Sequence, residues 1–325
     1  MAIDVLLLIL ALAGVVKGAD WFLGAAEKIG VSLNLPPFIL GVVLVGFGTS
    51  LPELTTSIAA VVDGVDTVSI ANIAGSNIAN VLLIVGVSTI ALGTIRFDKN
   101  LIDLDLPLIA GITALFSILL VDGSLNQLDG AFLLVGFVGY MLYSLVYKDD
   151  QEHHHKGLVR LIGALSKETK KQVENHEKTG ASTYVIALAS VALLGLSSKF
   201  AVDSLLAIVE QVDVGVDVLS FFALAIGTSL PELVVSFKAL RKGQGDIVVG
   251  NIIGSSMFNI LLIGGVASVL KPQFVNTDLV GWIIAGMSLS VMLLVISSIT
   301  RRIHMWEGFS YMLIYVAVAS KIATV

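Results

Sequence analysis

The heptapeptide GTSLPEL occurs at residues 48–54 and again, unchanged, at 227–233. Each copy lies in a long apolar run and carries one carboxylate, Glu53 or Glu232, directly after a proline. Hydroxyls precede each acid: Thr49 and Ser50 in the first copy, Thr228 and Ser229 in the second. Spacings of four and three residues set both hydroxyls beside the carboxylate on a helix. A second string follows each copy, ANIAGSNIAN at 71–80 and GNIIGSSMFN at 250–259. In it Asn72, Ser76 and Asn80 recur at every fourth residue and form one polar helix face, as do Asn251, Ser255 and Asn259.

Each half thus offers oxygen atoms from Thr, Ser, Glu, Ser and Asn. Calcium takes about 6–8 oxygen ligands in flexible geometry. The chain has no cysteine and no histidine in the middle of an apolar run, so a hard cation is favoured over zinc or copper. Two ionised glutamates balance one divalent cation, or two monovalent ones. An unpaired carboxylate in a membrane interior costs a few kcal/mol even on the mildest scale, so two of them call for a compensating cation. Pro52 has no N–H for the carbonyl of Gly48, and Pro231 none for that of Gly227, so each helix is expected to break or kink there. Such irregular backbone is tolerated at membrane depth only when buried in protein or lining a wet cavity.

The elements that must hold these residues are membrane spans. The 325 residues are 56% hydrophobic and 14% charged, against roughly 25% charged in soluble domains. Mean hydropathy is +0.95. Apolar runs of about 20 residues, long enough to cross a bilayer, recur throughout. Ten spans are expected, near 2–26, 37–61, 68–93, 104–121, 127–147, 182–208, 217–240, 247–270, 279–299 and 304–323. The first carries Asp4 and lacks a basic leader, which makes it a span rather than a cleaved signal. With both termini outside, the inner loops collect nearly all the lysines and arginines: Lys28, Arg96, Lys99, those of 148–180, Lys238, Arg241, Lys242, Arg301 and Arg302. The outer loops hold only Lys271 and Lys321. That bias fits the rule that cytoplasmic loops are basic and places the 148–180 loop in the cytoplasm. A multi-pass protein of a plasma or inner membrane is expected. No basic arm points to nucleic acid.

The two strings keep one register. Glu53 and Glu232, Asn72 and Asn251, Ser76 and Ser255, and Asn80 and Asn259 are all 179 residues apart. Two motifs in one register imply duplication, with repeats at 1–147 and 181–325 around a linker at 148–180. Five spans per repeat is an odd number, so the second repeat must enter the membrane inverted. This is the plan of many secondary transporters, whose substrate site lies near the midplane where the halves meet. The fold class is therefore all-α and polytopic, with about ten transmembrane helices in two inverted five-helix repeats.

Other residues carry less. Isolated hydroxyls such as Ser88, Thr113 and Ser290 are expected to bond back to their own helix. Lys17 and Lys199 have nearer acids than the two glutamates, Asp20 and Asp203, and local pairs are expected for them. Consecutive histidines do not share a helix face, so His153, His154 and His155 are read as solvated linker. A cation channel with a glutamate-ringed filter is an alternative from another class. Saturating flux that needs a counter-ion would separate a carrier from it. No nucleophile–base pair or histidine metal motif supports an enzyme.

GTSLPEL twice, with GSNIAN and GSSMFN downstream, resembles the two alpha repeats of the cation/Ca2+ antiporter superfamily. The form GTSLPE is more similar to the Na+/Ca2+ exchanger branch than to the proton-driven branch. The resemblance covers nearly the whole chain, with alpha-repeat motifs at 46–80 and 225–259. It implies alternating access, with Ca2+ exchanged against several Na+ at overlapping sites and with no cofactor. It implies the following roles. Glu53 and Glu232 are shared by Ca2+ and Na+, and Thr49 and Thr228 add oxygens for Ca2+. Ser50, Ser76, Ser229 and Ser255 line flanking Na+ sites, completed by the backbone carbonyls of Gly46 and Ala225. Asn80 and Asn259 sit centrally. Some relatives, including potassium-dependent ones, carry Asp at one of these last two positions; two asparagines here argue against potassium. A desolvated carboxyl also takes up protons, so H+ coupling is the alternative. The expected partners are Ca2+, Na+ and the lipid bilayer, with the monomer as the working unit.

Overall fold

The computed structural model describes residues 2–64, 66–144, 180–212 and 227–322. The first helix, α1 (Ala2–Ser32), ends where Asn34 adopts φ +52°, the left-handed conformation that stops helices. The Leu35 N–H then bonds back to the Gly30 carbonyl at 2.8 Å. Pro37 opens α2 (Pro37–Val62), where its missing N–H is harmless because first-turn N–H groups have no intrahelical partner. There follow α3 (Ser69–Leu92), α4 (Asp105–Leu119) and α5 (127–144). The second half holds α6 (Ala181–Val212), α7 (Leu230–Arg241), α8 (Gly245–Leu270), α9 (Thr277–Ser298) and α10 (Met305–Ile322). Gly64 after α2 and Gly243 after α7 are one repeat apart, and both take positive φ, +78° and +76°.

Helices α3 and α8 form the centre. In the apolar window of α8, 94% of residues are buried, against 28% in α1 and 33% in α6. A segment that apolar on all sides satisfies its own backbone and can meet either protein or lipid. Helices α2 and α8 cross with almost no side chain between them. A Cβ added to Gly254 would lie 2.6 Å from the Val42 carbonyl oxygen, and one on Gly46 would lie 2.9 Å from the Ser255 nitrogen. Small residues at such a crossing let two backbones approach in the absence of a hydrophobic drive between helices.

Two short antiparallel pairs report the inversion. Strand β1 (Ile95–Arg96), after α3, pairs with β4 (Arg302–Ile303), before α10. Strand β2 (Ser124–Leu125), after α4, pairs with β3 (Gln273–Phe274), after α8. β1 and β3 follow equivalent helices, yet one spanning helix, α4, separates β1 from β2. Equivalent loops thus lie on opposite faces of the bundle. The β1–β4 face gathers Arg96, Lys99, Arg301 and Arg302, and Asp246 at the start of α8 accepts the N–H groups of Asp98 at 3.0 Å and Lys99 at 2.9 Å.

Several expectations need correction. α1 continues to Ser32 rather than stopping near 26, and α6 continues to Val212 rather than 208, so Lys28 is helical. Lys238 and Arg241 lie on the last turn of α7 rather than in a loop. Asp20 pairs across helices with Lys238 instead of with Lys17, which lies 5.4 Å from the Trp21 ring centre. Lys238 also donates to the Val16 carbonyl at 2.6 Å, and Lys242 pairs with Glu27 at 2.7 Å. The reason is tertiary: α1 lies against α7, so the longer reach wins over the local pair. Ser290 bonds back to Met287 as expected, but the Ser88 hydroxyl is buried with no partner among the described residues. The linker at 148–179 with His153, His154 and His155, and the carbonyl of Ala225, lie outside the described residues.

The glycine crossing gives a direct test. Gly254→Ala forces a Cβ against the α2 backbone and is expected to cost about 1–3 kcal/mol by overpacking, read as a lower melting temperature in detergent. Gly111→Ala, with nothing within 4 Å of its added Cβ, should hold or gain about 0.5–1 kcal/mol.

Candidate cation site

The prolines break their helices one turn before the acids. Helix geometry lapses at Ser50 (φ −85°, ψ 6°) and at Ser229 (φ −84°, ψ 6°). A new helix then starts at Leu51 or Leu230, with proline in its first turn. Glu53 and Glu232 sit in those first turns, where the positive end of the helix dipole favours a negative charge. Both residues are fully buried.

The central helices change pitch where they meet the helices that carry the acids. In α3 the π-helical segment Ala79–Ile84 starts beside Asn80, and in α8 the equivalent segment Asn259–Ile263 starts at Asn259. A third π segment, Leu40–Gly46, precedes the break in α2. Such widened turns recur at functional sites because they re-aim side chains and free carbonyls.

The two halves interlock here. Ser50 of α2 donates to the Glu232 carboxylate at 3.1 Å. Ser76 of α3 meets the Thr228 hydroxyl at 3.3 Å. Ser255 of α8 donates to the Gly46 carbonyl at 3.2 Å. Thr49 bonds back to the Val45 carbonyl at 2.9 Å and reaches Asn251 Oδ1 at 3.3 Å. The sequence spacing put Thr49 and Ser50 beside Glu53; their hydrogen bonds instead run to the backbone and to the opposite repeat. The break at Ser50 removes the continuous helix on which that spacing rule rests.

Several polar atoms in this layer have no protein partner among the described residues. They are both carboxylate oxygens of Glu53, Glu232 Oε2, Ser229 Oγ, and the amide atoms of Asn80 and Asn259. Each unsatisfied buried polar atom costs about 1–3 kcal/mol. Clustering them is unfavourable unless a charged guest supplies what they lack. No group of three His, Cys, Asp or Glu converges anywhere among the described residues. The donor set is therefore two carboxylates plus neutral oxygens, which suits a hard cation. A cavity of about 550 Å³ between α2 and α6, lined in part by Pro52, Thr55, Gly195, Lys199 and Asp203, reaches Thr228.

Four residues outside the expected ligand set brace it. Asn72 Nδ2 donates to the Glu53 carbonyl at 3.2 Å and to Ser57 Oγ at 3.0 Å. Asn251 Nδ2 donates to the Glu232 carbonyl at 3.4 Å and to Ser236 Oγ at 2.9 Å. Ser57 and Ser236 follow the acids by four residues and are themselves 179 apart, a signal that was available in the sequence.

Comparison with known proteins agrees with this arrangement. Residues 3–146 and 182–320 match the family described as sodium/calcium exchanger protein. The chain is 30% identical to the sodium/calcium exchanger MaX1 of Methanosarcina acetivorans, over 98% of this chain and 97% of that one. It is 31% identical to the inner membrane protein YrbG of Escherichia coli, over 84% and 81%. A solved structure of the sodium-calcium exchanger NCX_Mj, soaked with 100 mM Na+ and 10 mM Sr2+, superposes with a TM-score of 0.79 at 26% identity, covering 98% of this chain and 99% of that one. The chain is thus an all-helical, multi-pass membrane protein of about ten helices, a transporter and not an enzyme, and it belongs to the sodium/calcium exchanger family within the cation/Ca2+ antiporters.

Proposed function

We propose that this antiporter exchanges Ca2+ for Na+ by alternating access, with Glu53 and Glu232 as the shared ligands. The observation that carries the proposal is the pairing of two fully buried carboxylates from inverted halves, linked by the Ser50–Glu232 bond at 3.1 Å. Thr49 and Thr228 serve Ca2+; Ser50, Ser76, Ser229 and Ser255, with the carbonyls of Gly46 and Ala225, serve Na+; Asn80 and Asn259 lie between. Empty, the site holds two negative charges that repel each other in a medium of low dielectric, where Coulomb terms are large. That repulsion resists closure over the site. One Ca2+, or Na+ at the same carboxylates, relieves it and lets the repeats at 1–147 and 181–325 rock past the site. Only loaded forms cross, so flux in one direction requires flux in the other.

Na+ is the favoured driving ion because the neutral hydroxyls flank the acids, as a second class of hard-ion ligand should. Proton drive is the second reading, supported by the unpartnered Glu53 oxygens, either of which can carry a proton. The face bearing Arg96, Lys99, Arg301 and Arg302 is assigned to the cytoplasm by its basic charge, with the 148–180 linker on that side and both termini outside.

Three outcomes follow for the purified protein in lipid vesicles. An outward Na+ gradient alone should drive Ca2+ uptake, and a pH gradient of equal size alone should not; the reverse result would establish proton drive. Glu53→Gln and Glu232→Gln should each lower Na+-driven Ca2+ uptake by a factor of about 100 or more, given that a buried charged contact is worth roughly 3–5 kcal/mol; near-wild-type flux would reject the assignment. Because the chain has no cysteine, Arg302→Cys and Ser124→Cys give clean single labels in cells. An impermeant maleimide added outside should label position 124 and not 302.

A further inference from the structure

Strand β1 belongs to the first repeat and β4 to the second, and their register sets Ile95 opposite Ile303 and Arg96 opposite Arg302. Both isoleucines are fully buried and both arginines are exposed, so the two arginine side chains leave the ladder on its outer face. The Phe97 N–H donates to the Arg301 carbonyl at 3.3 Å, which makes Phe97 and Arg301 a hydrogen-bonded pair. Pairs alternate along an antiparallel ladder. Arg96 and Arg302 are therefore a non-hydrogen-bonded pair, with Cβ atoms only about 4.5–5.5 Å apart. Like charges set directly opposite each other are destabilising. Water screens the two guanidinium groups but does not neutralise them, and neither has an ion pair among the described residues. Of the nearby acids, Asp246 accepts the N–H groups of Asp98 and Lys99, and Glu307 accepts the N–H of His304 at 2.6 Å. Arg301 differs from its neighbour, since its guanidinium donates to the Asp98 carbonyl at 3.2 Å.

The pair stands at the end of a lipid-facing surface. On α10, Trp306, Phe309, Leu313 and Val316 are all exposed, and their spacing of three or four residues makes one apolar stripe. The stripe begins four residues after Arg302, with the Trp306 and Phe309 rings 5.7 Å apart. Tryptophan collects at the level of lipid headgroups. We propose that Arg96 and Arg302 together hold the phosphate of an anionic phospholipid, with its glycerol and upper chains against Trp306 and Phe309. Arginine suits this role, because its planar guanidinium meets phosphate oxygens with two parallel hydrogen bonds. A phosphate between the two side chains turns their repulsion into two charge-assisted contacts. A zwitterionic lipid also carries a phosphate, but its own ammonium group cancels the charge that the arginines require. Because the strands come from different repeats, one such lipid bridges both halves at this face. The proposal depends neither on which ion drives exchange nor on which face is cytoplasmic.

The test uses the purified full chain in a neutral detergent, with thermal unfolding as the readout and phosphatidylglycerol as the probe. Phosphatidylglycerol should raise the melting temperature in a saturable way. Phosphatidylcholine, inorganic phosphate and glycerol 3-phosphate at matched concentrations should leave it unchanged. Arg96→Gln and Arg302→Gln should each raise the half-saturating phosphatidylglycerol concentration about tenfold or more, the size expected for one charge-assisted hydrogen bond. Lys271→Gln, which removes a charge from the opposite face, should not. Without lipid, each arginine variant should unfold at the same temperature as the wild type or a higher one, because the like-charge pair is gone. An unchanged phosphatidylglycerol response in both arginine variants would overturn the proposal and leave the arginines as solvated charges. Equal stabilisation by the soluble phosphates would replace the lipid with a free anion, and equal stabilisation by phosphatidylcholine would remove the role of charge; either contradicts the proposal. An arginine variant that unfolds earlier in detergent alone, or does not fold, would show that a contact within the protein already satisfies that guanidinium, and would overturn it as well.

Discussion

Two carboxylates are shut away from water in the middle of a membrane protein, and most of the architecture can be understood as the cost of keeping them there. A charge taken from water into such a medium needs a partner of opposite sign, and among the described residues no lysine or arginine pairs with either acid. What it supplies is geometry. Prolines break α2 and open α7 one turn ahead of Glu53 and Glu232, setting each at a helix N-terminus. The π segments of α3 and α8 contain Asn80 and Asn259 and contact the helices that carry the two acids. Glycines at 46 and 254 let the backbones approach closely enough for hydroxyls of one repeat to reach acceptors of the other. The remaining deficit, a set of buried oxygens without partners, is what a transported cation would remove under the proposed function.

The duplication makes this arrangement economical, and its departures from symmetry are informative. The asparagines act alike, each donating to its own acid's helix and accepting from the threonine opposite. At the periphery, α1 is tied to α7 through Asp20–Lys238 and Glu27–Lys242, whereas the equivalent region between α2 and α6 holds the 550 Å³ cavity. Position 59, the repeat counterpart of Lys238, is Ala59, and position 199, that of Asp20, is Lys199. The side chains that clasp one face are thus absent or reversed in charge on the other.

Much of this was legible in the sequence because duplication turns spacing into evidence. The constant interval of 179 residues paired the acids, hydroxyls and asparagines before any coordinates, and an odd number of spans per repeat implied inversion. The same interval also marks Ser57 and Ser236, which spacing could have found and did not. What spacing could not give was the partner of each hydroxyl. The i+3 and i+4 rule holds only along an unbroken helix, and the break at Ser50 sends its hydroxyl to Glu232. The π segments have no residue signature comparable to proline. Asp20 was assigned to Lys17 by proximity along the chain; the packing of α7 against α1 decided for Lys238. In each case the error lay where tertiary contact outweighs local geometry.

The most direct measurement is anomalous diffraction from crystals of this protein soaked in Sr2+, a divalent stand-in for Ca2+. The account requires one dominant peak, within about 3 Å of carboxylate oxygens from both Glu53 and Glu232, near the distances at which hard divalent cations meet oxygen, and its loss when Na+ is raised. Separate peaks at the two acids, or a peak that ignores both, would contradict the claim that the halves share one ion.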